Sequence, residues 1–404
     1  LYQKAQIKYP NDPRIVKAYF ELGNYYYDLG FNFLALQEYQ IIVRKYRGNP
    51  QAKESLFKIG RCYDRLKDSE SARRAYFQFL CSYPKDLLVA DALLSIGDSL
   101  MEQGLYNKAL DIYEKVIREF ANDDSGATTK AQFNIAKAYM KMGDYRNAIQ
   151  VFLKARWKYC SDQRRAEIEY QIGNCLYLLN EYQDASNVLG NYLVNEEEGE
   201  FGENAIFLLG DCFYKLDNYL GAFQIFRKAT ERYSKSNKVP GGIYCMGKSL
   251  RAMNMPESAI KILREGLQAF PVDDTAGKMA FEIGMCYFDK GDYCLAYNAF
   301  DSFVKQYPQD ELVVEAMIVM SDALLNDKKY VEATNSYFGL LKTSNSDDIR
   351  RYAFNRIGEC YKYMGKLQQA IKAYQIGLRN TTDAVQIAWP TDDSLGTNTS
   401  IAFH

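Results

Sequence analysis

The sequence predicts an all-α protein, a solenoid of about ten helix-turn-helix units followed by a non-repeating C-terminal tail. Three observations predict it. Short segments such as FELGNYY, LFKIGRCY, FEIGMCYF and FNRIGECY recur, each centred on one small residue. These are Gly23, Gly60, Gly97, Ala136, Gly173, Gly210, Gly247, Gly284, Ser321 and Gly358, spaced 37 residues apart except for one step of 39. Twelve residues after each stands an alanine, from Ala35 to Ala370, without exception. Seven residues after each come Gly30, Lys67, Gly104, Gly143, Asn180, Asp217, Asn254, Gly291, Lys328 and Gly365, and most of these types tolerate the left-handed backbone that ends a helix.

On both sides of each turn the apolar residues keep helical spacing, as in Ile96, Leu100, Ala109, Ile112, Tyr113 and Val116, rather than the alternation of a strand. Several second helices run into an aromatic and a proline, Tyr83-Pro84, Phe270-Pro271 and Tyr307-Pro308 among them, and proline ends the unit by removing an amide donor. Residues 1–10 read as the second half of a preceding unit, with Tyr2, Ala5 and Tyr9-Pro10 one period before their counterparts. Further sequence upstream of Leu1 is therefore expected. The longer step, near 121–125, is expected to be a loop, where insertions are tolerated.

With the small residue counted as position 8, large apolar or aromatic residues fill position 11 (Tyr26, Tyr63, Leu100 and their successors). Position 20 is always Ala, and position 24 is aromatic or Leu (Tyr39, Tyr76, Tyr113, Phe152, Leu189, Phe226, Leu263, Phe300, Tyr337, Tyr374). Over residues 11 to about 380 this pattern resembles the tetratricopeptide repeat family. The resemblance implies a right-handed superhelix with a concave wall of first helices, and a non-enzymatic scaffold that assembles multiprotein complexes. The period departs from the family's usual 34; with phrases such as KYP and QYP it resembles a bacterial subclass found in envelope assembly and Tol-Pal-associated proteins. Physically, the small residue at 8 and the Ala at 20 are expected to let the two helices cross closely, and the large residues to fill the space between units. A Leu at position 8 would overpack, at about 1–3 kcal/mol.

The expected organisation is thus a repeat remnant at 1–10, the solenoid over 11–380 and an extended tail over 381–404. The tail carries two apolar clusters, Ile387-Ala388-Trp389 and Ile401-Ala402-Phe403. It either caps the last unit or uses Trp389 and Phe403 as anchors in a groove of its own or a neighbouring subunit.

Composition narrows the function. Fifty basic against 51 acidic side chains leave a net charge of −1, so no global field favours nucleic acid or an anionic membrane. No apolar run reaches the roughly 20 residues that span a bilayer, so no direct membrane insertion is expected of this chain. The single histidine, His404, leaves no Ser-His or Cys-His pair within the repeats, and no metal or other cofactor is expected. Five of nine cysteines, Cys62, Cys175, Cys212, Cys286 and Cys360, share one repeat position and read as small hydrophobes in the reduced state. Reduced thiols favour a cytoplasmic setting, the repeat spacing an envelope or periplasmic one.

Position 5 of the first helix is expected to face the groove, together with positions 9 and 12 one and two turns on. It is held by Phe20, Phe57, Phe133, Tyr170, Phe207, Tyr244 and Phe281, along with Leu94, Ile318 and Asn355. Such a stripe either fills gaps between helices or, where exposed, anchors an apolar partner segment. Position 9 is a mixed row without the Lys-at-5, Asn-at-9 pair of a carboxylate clamp. Other proteins are the expected partners, with a second copy of the chain, stacked into filaments or tubules, as the alternative. One motif argues for an enzyme: GIYCMGKS, from Gly242 to Ser249, fits the phosphate-loop pattern G-x-x-x-x-G-K-[ST]. Its bulky interior and its place in the repeat favour a chance match, and the Gly241-Gly242 pair predicts a weak helix start and a looser seam.

Overall fold

All ten predicted turn positions take positive φ, from 56° at Asp217 to 83° at Gly291, including Lys67, Asn180, Asn254 and Lys328, which carry side chains. The chain reverses at each of them. At Gly30, for example, the Gly30 amide donates to the Tyr27 carbonyl (3.1 Å) and the Phe31 amide to the Tyr26 carbonyl (2.8 Å). These bonds satisfy carbonyls that the helix end leaves open.

The computed structural model describes residues 13–121, 126–156, 162–196, 198–343 and 346–378. Residues 1–10, the longer step at 122–125 and the tail with Trp389 and Phe403 lie outside them. Among the described residues there are twenty α-helices and no strand. The chain divides into two units, Leu1–Gly202 and Glu203–His404. The first holds α1 (Pro13–Asp28), α2 (Asn32–Lys45), α3 (Pro50–Arg65), α4 (Ser69–Ser82), α5 (Val89–Glu102), α6 (Tyr106–Glu119), α7 (Ala127–Lys141), α8 (Tyr145–Arg156), α9 (Asp162–Leu178) and α10 (Tyr182–Glu196). Opening at the boundary, α11 (Gly202–Lys215) is followed in the second unit by α12 (Tyr219–Arg232), α13 (Val239–Ala252), α14 (Pro256–Ala269), α15 (Ala276–Lys290), α16 (Tyr293–Gln306), α17 (Val313–Asn326), α18 (Tyr330–Thr343), α19 (Asp347–Tyr363) and α20 (Leu367–Leu378).

Within each unit consecutive helices pack together, and first helices of neighbouring repeats also touch: α1 with α3, α5 with α7, α13 with α15, α15 with α17. In these pairs the first helices lie side by side within their own unit.

The core repeats with the sequence. Position-20 alanines are buried throughout, and each position-8 glycine lies under the position-24 side chain of its own hairpin. A Cβ on Gly60 would sit 2.5 Å from the Tyr76 ring, and one on Gly284 2.7 Å from Phe300. Position 24 therefore fills the hairpin itself over the small residue, where the sequence pattern assigned it to the space between units. The five repeated cysteines are buried, and all eight described cysteines are free. Burial pushes the thiols of Cys62 and Cys175 up to about 12, away from reactivity.

GIYCMGKS is part of helix α13. Ser249 is buried and its hydroxyl donates to the Cys245 carbonyl at 2.8 Å, and Gly247 takes its place beneath Leu263, so nothing here can wrap a phosphate. Gly242 has a packing reason in place of the expected looseness: a Cβ there would lie 2.7 Å from Thr230 Cγ2 and 2.8 Å from the Phe207 ring.

Candidate partner-binding surface

The position-5 rings pack back onto the second helix of their own repeat. Phe20 meets Tyr39 (6.0 Å between centroids), Phe57 meets Tyr76 and Phe79 (5.6 and 5.7 Å), and Phe133 meets Phe152 (5.7 Å). Phe207 meets Phe226 (6.5 Å), and Phe281 meets Phe300 and Phe303 (5.4 and 5.9 Å). All five phenylalanines are buried, because position 5 lies one turn before position 8 on the same inward face. Tyr170 and Tyr244 are half-buried. Tyr170 stacks on Phe201 at 4.9 Å, and Tyr244 has the Lys248 ammonium 5.5 Å from its ring centre.

Positions 9, 12 and 13 of the first helices reach the surface between them. In the first unit they line a recess of about 390 Å³ bordered by Tyr27 of α1, Arg61, Asp64, Arg65 and Lys67 around α3, and Ser95, Asp98, Ser99 and Glu102 of α5. Arg65 lies over the Tyr27 ring, its guanidinium carbon 3.5 Å from the centroid, and donates to the Tyr27 carbonyl at 2.5 Å. Arg61 is held by Tyr27 as well, a contact that favours its charged form. The acids are engaged from below: Asp64 accepts from Tyr76 at 2.5 Å, and Asp98 from Tyr113 at 2.6 Å and Asn134 at 2.7 Å. Burial raises the Asp64 carboxyl above its usual value, against the pull of the Tyr76 bond and Arg61. The recess therefore offers an aromatic wall, two ordered guanidinium groups and carboxylates already partly satisfied by the core, a combination suited to polar side chains of an extended chain.

The second unit carries a related cluster on α11, α13 and α15. Lys248 sits 4.8 Å from the Tyr214 ring centre as well as over Tyr244, and Arg251 bridges Glu282 (2.5 Å) and Asp289 (2.9 Å). Glu282 is buried, so Arg251 is the charge that makes its burial tolerable. Asp211 belongs to a repeat whose position 24 is Phe226, so it has no tyrosine hydroxyl to accept. Its carboxyl is pushed up to about 6 by burial, with Lys215 and Lys248 pulling it back.

Position 9 was visible in the sequence as a mixed row. Position 12, which brings Tyr27 and Asp64, follows from the same helical spacing; the contributions of position 13 and of the turn residue Lys67 do not, although tabulating them repeat by repeat exposes Arg65 and Glu102 as neighbours. Among the described residues no helix is long and apolar enough to cross a membrane.

Family models for the tetratricopeptide repeat match residues 20–85 and, in a second form, 204–236, 280–310 and 352–376. A model described as anaphase-promoting complex, cyclosome, subunit 3 matches residues 102–192. Outer dynein arm-docking complex subunit 4 of Danio rerio is 29% identical over 144 residues, which cover 34% of this chain and 29% of that protein, so the match spans less than a third of the relative. The crystal structure of the C-terminal part of a TPR repeat-containing protein from Cytophaga hutchinsonii aligns at a TM-score of 0.50 and 19% identity, covering 63% of this chain and 98% of its own. A tetratricopeptide repeat protein from Parabacteroides merdae aligns at 0.45 and 16% identity, covering 67% and 99%. Tetratricopeptide-repeat models thus match stretches of both units, on helices whose positions 8, 15, 20 and 24 each play one constant part, so the chain carries tetratricopeptide repeats in those stretches.

Proposed function

We propose that the chain is a non-enzymatic scaffold that holds extended segments of partner proteins along the polar face of its first helices and so organises a multiprotein complex. The observation that carries this reading is the recess between α1, α3 and α5, where Tyr27, Arg61 and Arg65 converge. Tetratricopeptide repeats generally mediate protein-protein contacts, and the Danio rerio relative bears the name of a docking-complex subunit, which supports a role inside an assembly. In this reading the repeats over 11–380 are the binding body and 381–404 is a separate segment.

Crosslinking and mass spectrometry of the chain in its native complex test it. Crosslinks from a partner should cluster on the first helices around Lys58 and Lys67, and Arg61→Glu should remove that partner while circular dichroism stays unchanged. Crosslinks confined to the second helices, or a partner indifferent to Arg61→Glu, would overturn the reading. Sedimentation across concentrations separates it from the filament alternative.

A further inference from the structure

The tip of the first hairpin departs from the repeat. Gly30, at φ 80°, folds the chain back so that the end of α1 and the start of α2 share this tip. Five large apolar or aromatic side chains stand exposed there within ten residues: Tyr25 (60%), Leu29 (53%), Phe31 (55%), Phe33 (65%) and Leu34 (40%). No other ten-residue stretch among the described residues holds as many. The exposure belongs to the position rather than to the place of this repeat in the array. Asp68 and Glu70, the counterparts of Phe31 and Phe33 in the second repeat, are exposed although a repeat precedes them, and so are Asn218 and Leu220 in the sixth.

The rings also cost local order. Asp68, Asp144 and Asn218, at the place of Phe31, accept from the backbone amide three residues on (3.1, 3.3 and 3.0 Å) and so cap α4, α8 and α12. Phe31 stands at the start of α2 with no side-chain bond of this kind. Asp and Asn are among the best residues for that place, and large apolar ones among the worst. A side chain that weakens its own helix and keeps its ring in water gains nothing for the fold of one chain, which marks the tip as functional.

Size and charge select the occupant. At 150–250 Å² per buried ring, the exposed fractions of Tyr25, Phe31 and Phe33 leave roughly 350 Å², to which Leu29 and Leu34 add. A stable interface takes about 800 Å² from each partner, a little over half of it apolar. The tip therefore supplies about the apolar share of one side and calls for an equally apolar surface opposite. Among the described residues only the tip itself answers to that. From Leu29 to Gln37 it carries no charge, so two tips meet without opposing like charges.

We propose that two copies of the chain pair tip to tip about a two-fold axis, with Phe31 and Phe33 of one copy packed on those of the other. One patch on each copy is used, so the assembly closes at two, which head-to-tail stacking does not. The inference does not depend on the proposed recess between α1, α3 and α5.

Sedimentation velocity of the full chain over rising concentration tests it. The chain should pass from monomer to dimer and stop there. Phe31→Asp, which gives α2 the cap that Asp68 gives α4, should stay monomeric, with a melting temperature no lower than the parent's when both are read at monomeric dilution. Phe33→Glu, which copies Glu70 of the second repeat, should stay monomeric as well. A parent that is monomeric at every concentration would overturn the proposal and leave the tip to a different protein. Growth beyond the dimer, or dimers in both variants as strong as the parent's, would overturn it too.

Discussion

The hydroxyl of Tyr113 donates to Asp98 at 2.6 Å, joining the two helices of one repeat, and the same carboxylate oxygen accepts from Asn134 of the next repeat at 2.7 Å. Asn24 plays this part between Tyr39 and Lys58 (2.8 Å each), and Asp322 between Tyr337 (2.5 Å) and Tyr352 (2.6 Å). Tyr113→Phe is expected to cost about 0.5–1.5 kcal/mol, since Asp98 is exposed enough to recover a water in place of the hydroxyl. Chemical denaturation of Tyr113→Phe, Asp98→Asn and the double variant should show non-additive losses.

The turns make a signed prediction. Lys67 and Lys328 hold φ of 61°, a region that costs a residue with a Cβ on the order of 1–2 kcal/mol. Lys67→Gly and Lys328→Gly should each raise the melting temperature, and Gly104→Ala, at φ 72°, should lower it. Asn180→Gly should gain less, because asparagine tolerates this conformation better.

Adjacent glycines of α13 should respond oppositely. A Cβ on Gly241 meets nothing within 4 Å, so Gly241→Ala should stabilise by about 0.5–1 kcal/mol through helix propensity. Gly242→Ala pushes into Thr230 and Phe207 and should destabilise by about 1–3 kcal/mol. Thermal melts of the two single variants check both signs.

Asp211 makes stability depend on pH. Its folded carboxyl, pushed up to about 6, binds a proton that an unfolded aspartate, near 3.9, has already released. Between those values the folded state holds more protons, so stability falls as pH rises from about 4 to about 6. Denaturant midpoints across this range should show the decline, and Asp211→Asn should flatten it.

The small residues, the alanines and the ten turns carried the fold in the sequence because each meets a strict steric limit: Gly60 must leave room for Tyr76, and Gly30 must take a positive φ. The binding surface was less legible. Phe20 and Phe57 look like anchors by spacing, yet helical spacing cannot distinguish a groove-facing ring from one folded back on its own hairpin. Arg65 over Tyr27 joins residues 38 apart, on different repeats, through side chains whose directions the pattern of one repeat leaves open.

Where Phe281, Phe300 and Phe303 meet, the seam of α15 and α16 is packed by three phenylalanine rings, and position 9 is Met285. Apolar attraction weakens on cooling, and in a stacked array each repeat keeps much of its own stability. Low temperature should therefore loosen the span 276–306 ahead of the repeat that Tyr337 bridges to Asp322 in the same unit, giving the protein a local cold lability that heating would not reveal.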